Sequence, residues 1–100
     1  MTEMSNLGAV AREAVALVRM IANERRLLLL CHMLGDGEVT VGALADRVGL
    51  SQSATSQHLK LLRRDALVAT RREGTIIHYR IADPRVQHMI RGLHGLFCAA

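Results

Sequence analysis

Residues 40–65 read TVGALADRVGLSQSATSQHLKLLRRD, and the fold turns on this stretch. Val41, Leu44, Ala45 and Val48 recur at helical spacing, so a short helix over 41–48 with one inward face is expected after Thr40. Gly49 closes it, because glycine accepts the positive φ that a tight turn requires. After Leu50, Ser51 can cap a longer helix running to about Asp65, with Ala54, Leu59 and Leu62 as core positions. Two helices separated by a glycine turn, with small Ala45 permitting close approach, make a helix-turn-helix pattern. In that motif the second helix enters the major groove of DNA.

The outer face of that second helix carries Gln52, Ser53, Thr55, Ser56 and Gln57 in its first two turns. Such side chains reach base edges by hydrogen bonds, and all five are candidate base contacts. Serine and threonine weaken a helix beyond its cap, so their clustering asks for a reason that DNA contact supplies. The alternative is a polar solvent face with local caps. Lys60, Arg63 and Arg64, further along, suit phosphates better than bases.

Downstream, the runs 67–72 and 75–81 read as strands joined by Glu73 and Gly74 at a hairpin tip. In the second, Ile77, Tyr79 and Ile81 alternate with His78 and Arg80, the period of a half-buried strand. This hairpin is a wing that adds Arg71 and Arg72 as phosphate contacts, with His78 either an auxiliary or simply a solvated strand position. Upstream, residues 9–20 place Val10, Ala14, Leu17 and Val18 on one helical stripe. Asn23 can cap a leucine-rich helix over 24–34, ended by Gly35 and Gly37. Pro84 suits the first turn of a last helix, 84–98. The reading is one mainly α domain over 1–100: five helices with a small β-hairpin before the last, in winged helix-turn-helix order.

Composition agrees. Half of the 100 residues are hydrophobic but only Tyr79 and Phe97 are aromatic, so the core is aliphatic, which suits packed helices and not a β-sandwich. Between Arg47 and Arg80 lie seven basic and two acidic residues, whereas the remainder carries six basic and seven acidic. The positive surplus is thus confined to one segment, which is the footprint of a nucleic-acid surface or, on charge alone, of a solvated charged face. No apolar run approaches the ~18 residues of a membrane span, and the N-terminus lacks a signal-peptide pattern. A cytoplasmic protein with reduced cysteines is expected. A chain this small leaves its terminal helices poorly covered. Leu17, Val18, Met89, Ile90, Leu93, Leu96 and Phe97 are therefore candidates for a homodimer interface, and two-fold symmetry would let two recognition helices meet successive major grooves.

The run from Ala43 through Gly49-Leu-Ser-Gln-Ser-Ala-Thr-Ser-Gln-His-Leu to Arg64, then Leu67-Val68 and Arg71-Arg72-Glu-Gly-Thr-Ile-Ile-His-Tyr79, resembles the recognition helix and wing of the ArsR/SmtB winged-helix repressors. The resemblance implies a homodimer through the first and last helices, bound to an inverted-repeat operator on double-stranded DNA and released by an inducer. The cysteine cluster of the family's metal sensors has no counterpart, because Val41, Gly42, Ala43 and Leu44 offer no ligand. Asp83, His88 and His94 lack the Asp-x-His start of its zinc site. No metal and no cofactor are expected.

Cys31 on the second helix and Cys98 at the end of the last are similar in arrangement to the persulfide-sensing branch of that family. So are their contexts, Leu28-Leu-Leu-Cys-His-Met-Leu34 and Leu93-His-Gly-Leu-Phe-Cys98. The resemblance implies a redox-sensing pair that reactive sulfur species join through sulfur atoms, releasing DNA. A thiolate attacks a persulfide sulfur and a second thiol resolves the adduct. His32 or a nearby arginine is a candidate to lower a thiol pKa. A peroxide-driven disulfide and a metal response are the alternatives, and two buried structural cysteines the plain one. Catalysis is not expected: Cys31 and His32, the sole nucleophile–base pair, point about 100° apart on a helix.

Overall fold

The computed structural model describes residues 6–98. Its elements are α1 (Leu7–Ile21), α2 (Glu24–Asp36), β1 (Val39–Thr40), α3 (Val41–Val48), α4 (Gln52–Arg64), β2 (Val68–Glu73), β3 (Ile76–Ile81) and α5 (Pro84–Cys98). Local chemistry explains most of the boundaries. Asn23 caps α2 by accepting from Arg26 N at 3.1 Å, Thr40 caps α3 through Ala43 N at 3.3 Å, and Ser51 caps α4 through Ala54 N at 3.1 Å. Gly49, at φ 70°, supplies the left-handed residue between α3 and α4.

Beyond small shifts at the ends of α1, α4 and β2, three details differ from the sequence reading. The expected stop at Gly35 falls inside α2, which runs to Asp36 and ends on Gly37 at φ 82°, whose N–H bonds Met33 O at 2.8 Å. The wing tip is Gly74–Thr75, because Glu73 still pairs with Ile76. The hairpin is also joined by a third strand, β1, giving an antiparallel sheet in the order β1-β3-β2 with Val39 opposite Tyr79 and Thr40 opposite His78. Two residues carry no periodicity of their own, and β1 exists because β3 offers it a free edge.

The core is aliphatic, as composition required. Leu29, Leu30 and Met33 of α2 meet Leu44 and Val48 of α3, Leu59 and Leu62 of α4 and Val86 and Ile90 of α5, closed by Val39, Val68 and Ile81 of the sheet. Burial of this order, roughly 1.5–3 kcal/mol per large side chain, fixes the helix-turn-helix on α2. Arg25 reinforces it by donating from Nη1 to Val48 O at 3.2 Å, the end of α3. Ile90, expected at a subunit interface, is fully buried in this core. The α1 stripe behaves differently. Only Ile21 is buried and Leu17 packs on the core, while Val10, Ala14 and Val18 face outward.

Candidate nucleic-acid interface and thiol pair

Helix α4 presents Gln52, Ser53 and Gln57 to solvent, with Ser56 half-buried beside them. The amide of Gln52 lies against Gly42 of α3, close enough that a Cβ there would meet Nε2 at 3.4 Å. Ser56 lines a cleft shared with Thr75, Ile76, Ile77 and Tyr79 of the wing. Recognition helix and wing therefore border one continuous surface. Thr55 departs from the expectation. It is fully buried, and its Oγ1 has no hydrogen-bond partner, so it cannot reach a base edge. The reason is helical geometry: Thr55 sits four residues before Leu59 and seven before Leu62, on the stripe that faces the core. That spacing was visible in the sequence, and the run of polar neighbours masked it.

The basic side chains divide into engaged and available. Lys60, Arg63 and Arg72 are exposed and have no acidic partner among the described residues, while Arg64 Nε lies 3.6 Å from Asp65 Oδ1. Arg47, in contrast, is paired with Asp36. Arg71 is held by Glu38, with Nε donating at 3.1 and 3.0 Å and Nη2 at 2.9 Å, and Glu73 lies 3.9 Å from its Nη1. These hydrogen bonds, first, and the charge of Arg71 hold the Glu38 carboxyl below its usual range, with His78 and Arg80 adding to the effect. His78 Nε2 contacts Glu73 Oε1 at 3.3 Å.

Away from this surface, α5, which ends at Cys98, packs on α2, which carries Cys31. Both are free thiols, Cys31 half-buried against the core and Cys98 exposed. Burial, first, and the negative charge of an ionised Cys98 push the Cys31 thiol up. The expected lowering by His32 or an arginine is thus not found; Cys31 is shielded, and Cys98 is the accessible sulfur. Together with α1, these helices leave an apolar groove lined by Val18, Ile21, Leu27, Met89, Leu93 and Leu96, with Leu96 and Phe97 78% and 81% exposed. Among the described residues, no group of three or more His, Cys, Asp or Glu is placed to hold a metal ion, and no helix is long and apolar enough to cross a membrane.

Comparison with known proteins fits this architecture. The family described as "Bacterial regulatory protein, arsR family" matches residues 23–70, from the cap of α2 into β2. The transcriptional activator HlyU of Vibrio cholerae is 52% identical over 88 residues, 88% of this chain and 81% of that protein. Its reduced form superposes with a TM-score of 0.89, covering 95% of this chain and 99% of that one at 45% identity. The biofilm growth-associated repressor of Agrobacterium fabrum is 38% identical over 89 residues, 89% of this chain and 75% of that protein. A homodimeric winged helix-turn-helix DNA-binding domain from Mycobacterium bovis superposes with a TM-score of 0.77 at 30% identity, covering 94% and 86%. These relatives are transcriptional regulators and not enzymes. The chain belongs to the ArsR family and is a winged helix-turn-helix DNA-binding transcriptional regulator.

Proposed function

We propose that this regulator is a cytoplasmic homodimeric repressor that leaves its inverted-repeat operator when a sulfane-sulfur donor bridges Cys31 and Cys98. The packing of α5, which ends at Cys98, on α2, which holds Cys31, carries the reading. Two relatives support its parts: the Mycobacterium bovis domain is homodimeric and the Agrobacterium fabrum protein is a repressor. That the Vibrio cholerae relative was solved in a reduced form is in keeping with redox chemistry at such a fold. In the dimer, a second copy covers the groove of α1, α2 and α5. On DNA, Gln52, Ser53, Ser56 and Gln57 meet base edges, and Lys60, Arg63, Arg64 and Arg72 meet phosphates.

The chemistry balances with an organic trisulfide, R–S–S–S–R. The exposed Cys98 thiolate attacks the central sulfur and expels one RS⁻, leaving a protein trisulfide. The Cys31 thiolate then attacks the sulfur next to Cys98 Sγ and expels the second RS⁻. The product is a three-sulfur bridge; the protein thiols are oxidised by two electrons and the donor is reduced to two thiolates. A bridge containing extra sulfur spans a larger gap than a disulfide, which needs Cα atoms within roughly 7 Å. Tying the end of α5 to α2 disturbs the face that the second copy covers, and with it the spacing of the two α4 helices.

The test uses an operator selected from a random duplex pool. Trisulfide releases the unsubstituted protein, whereas Cys31→Ser and Cys98→Ser bind the operator normally and stay bound. Full release of either variant overturns the two-thiol switch. Release of both by zinc instead would mark a metal response.

A further inference from the structure

Arg71 and Arg72 are adjacent in sequence but leave the wing on opposite faces. Side chains alternate along a strand. Arg72, paired with Ile77, shares the face that borders α4, where Ile77, Tyr79 and Ser56 line one cleft. Arg71, paired with His78, lies on the other face, and there Glu38 meets it. The short strand β1 is what delivers Glu38: Thr40 pairs with His78, the residue opposite Arg71, and Glu38 stands two positions earlier. The carboxylate takes Nε and Nη2, the edge of the guanidinium that forks onto a phosphate as readily as onto a carboxylate. It also cancels the charge that would draw a phosphate in. Among the described residues Arg72 has no such acidic partner.

We propose that Glu38 is an internal competitor for phosphate that withholds Arg71 from DNA, so that each wing grips the backbone through Arg72 alone. Phosphate contacts strengthen binding to every sequence. Withholding one per subunit keeps the sequence-independent grip low and leaves the dimer easier to release. The inference rests on the assignment of the wing to DNA made above.

The experiment measures binding to a labelled duplex of mixed sequence over a range of salt concentrations. Each phosphate contact contributes a slope of about −0.9 to log K against log salt. Glu38→Gln should steepen the slope by about that amount for each engaged wing and tighten binding at low salt. Arg71→Ala alone should leave the slope unchanged, and the double variant should return to it. Glu24→Gln, on α2 away from the wing, adds the same charge and should keep the original slope. A flatter slope for Arg71→Ala, an unchanged or flatter slope for Glu38→Gln, or equal steepening by Glu24→Gln overturns the proposal. Arg71→Ala decides the matter even if Glu38→Gln fails to fold. Loss of the wing's DNA role as a whole is read separately, as an Arg72→Ala slope identical to that of the unsubstituted protein.

Discussion

Thr55 and Gln57 stand two residues apart on α4 and meet opposite environments. Gln57 is exposed, so Gln57→Ala should weaken operator binding by about 1–3 kcal/mol while leaving mixed-sequence DNA nearly unaffected. Equal loss on both DNAs would remove its base-reading role. Thr55 buries a hydroxyl with no partner, and Thr55→Val replaces it with a methyl of the same shape. Thermal unfolding should show a gain on the order of 1 kcal/mol, with operator affinity unchanged. Both residues belong to one polar run in the sequence, and only the register of Leu59 and Leu62 separates them. Charge was legible in part. The excess between Arg47 and Arg80 is real, yet Asp36 and Glu38, outside that segment, fold back onto Arg47 and Arg71. A linear count of charge cannot see pairs made by tertiary contact.

At the scale of elements, helices α3 and α5 run as the sequence reading placed them and α4 differs only at its last residue, because side-chain caps, a left-handed glycine and proline are local signals. Strand β1 was not legible, since its pairing depends on Tyr79 and His78 about forty residues away. The end of α4 holds another feature with no simple sequence signal. Ala66 adopts φ 62°, its N–H bonding Arg63 O at 3.0 Å and the next N–H, of Leu67, bonding Leu62 O at 2.9 Å. This is the Schellman arrangement, in which glycine avoids the strain an alanine Cβ meets. Ala66→Gly should therefore raise stability by about 0.5–1 kcal/mol in denaturant unfolding. At the start of α5, Asp83 accepts from Arg85 N at 2.9 Å and from the Arg85 guanidinium, which also reaches Glu13 of α1. The guanidinium hydrogen bonds hold the Asp83 carboxyl below its ordinary range. A depressed folded pKa stabilises above the unfolded value and is lost as pH falls through the folded one. The stability lead over Asp83→Asn should be full at neutral pH and vanish in acid below the usual carboxylate range; a pH-independent difference would refute this.

For the molecule as a whole, the α-helical winged architecture was readable because its caps, turn and aliphatic stripes agree with one another. That the terminal helices pair two copies was read from their uncovered apolar residues, whereas the thiol pair was readable only by resemblance. The groove between α1, α2 and α5 is left open by the single chain, and a second copy is its proposed occupant. Leu96 is 78% exposed, so Leu96→Asp should leave the circular dichroism of the fold intact while shifting sedimentation to the monomer and lowering operator affinity. A variant that remains dimeric would place the interface elsewhere. On the proposed reading, dimer, thiol pair and recognition helix form one chain of cause.

The most direct test of that chain titrates the protein with organic trisulfide and takes two readings from each sample, the intact mass and the fraction bound to operator. The account predicts that the fraction carrying an intramolecular sulfur bridge, blocked to thiol alkylation at Cys31 and Cys98, equals the fraction released, and that thiol reductant restores both together. Fully bridged protein that still holds the operator would contradict it.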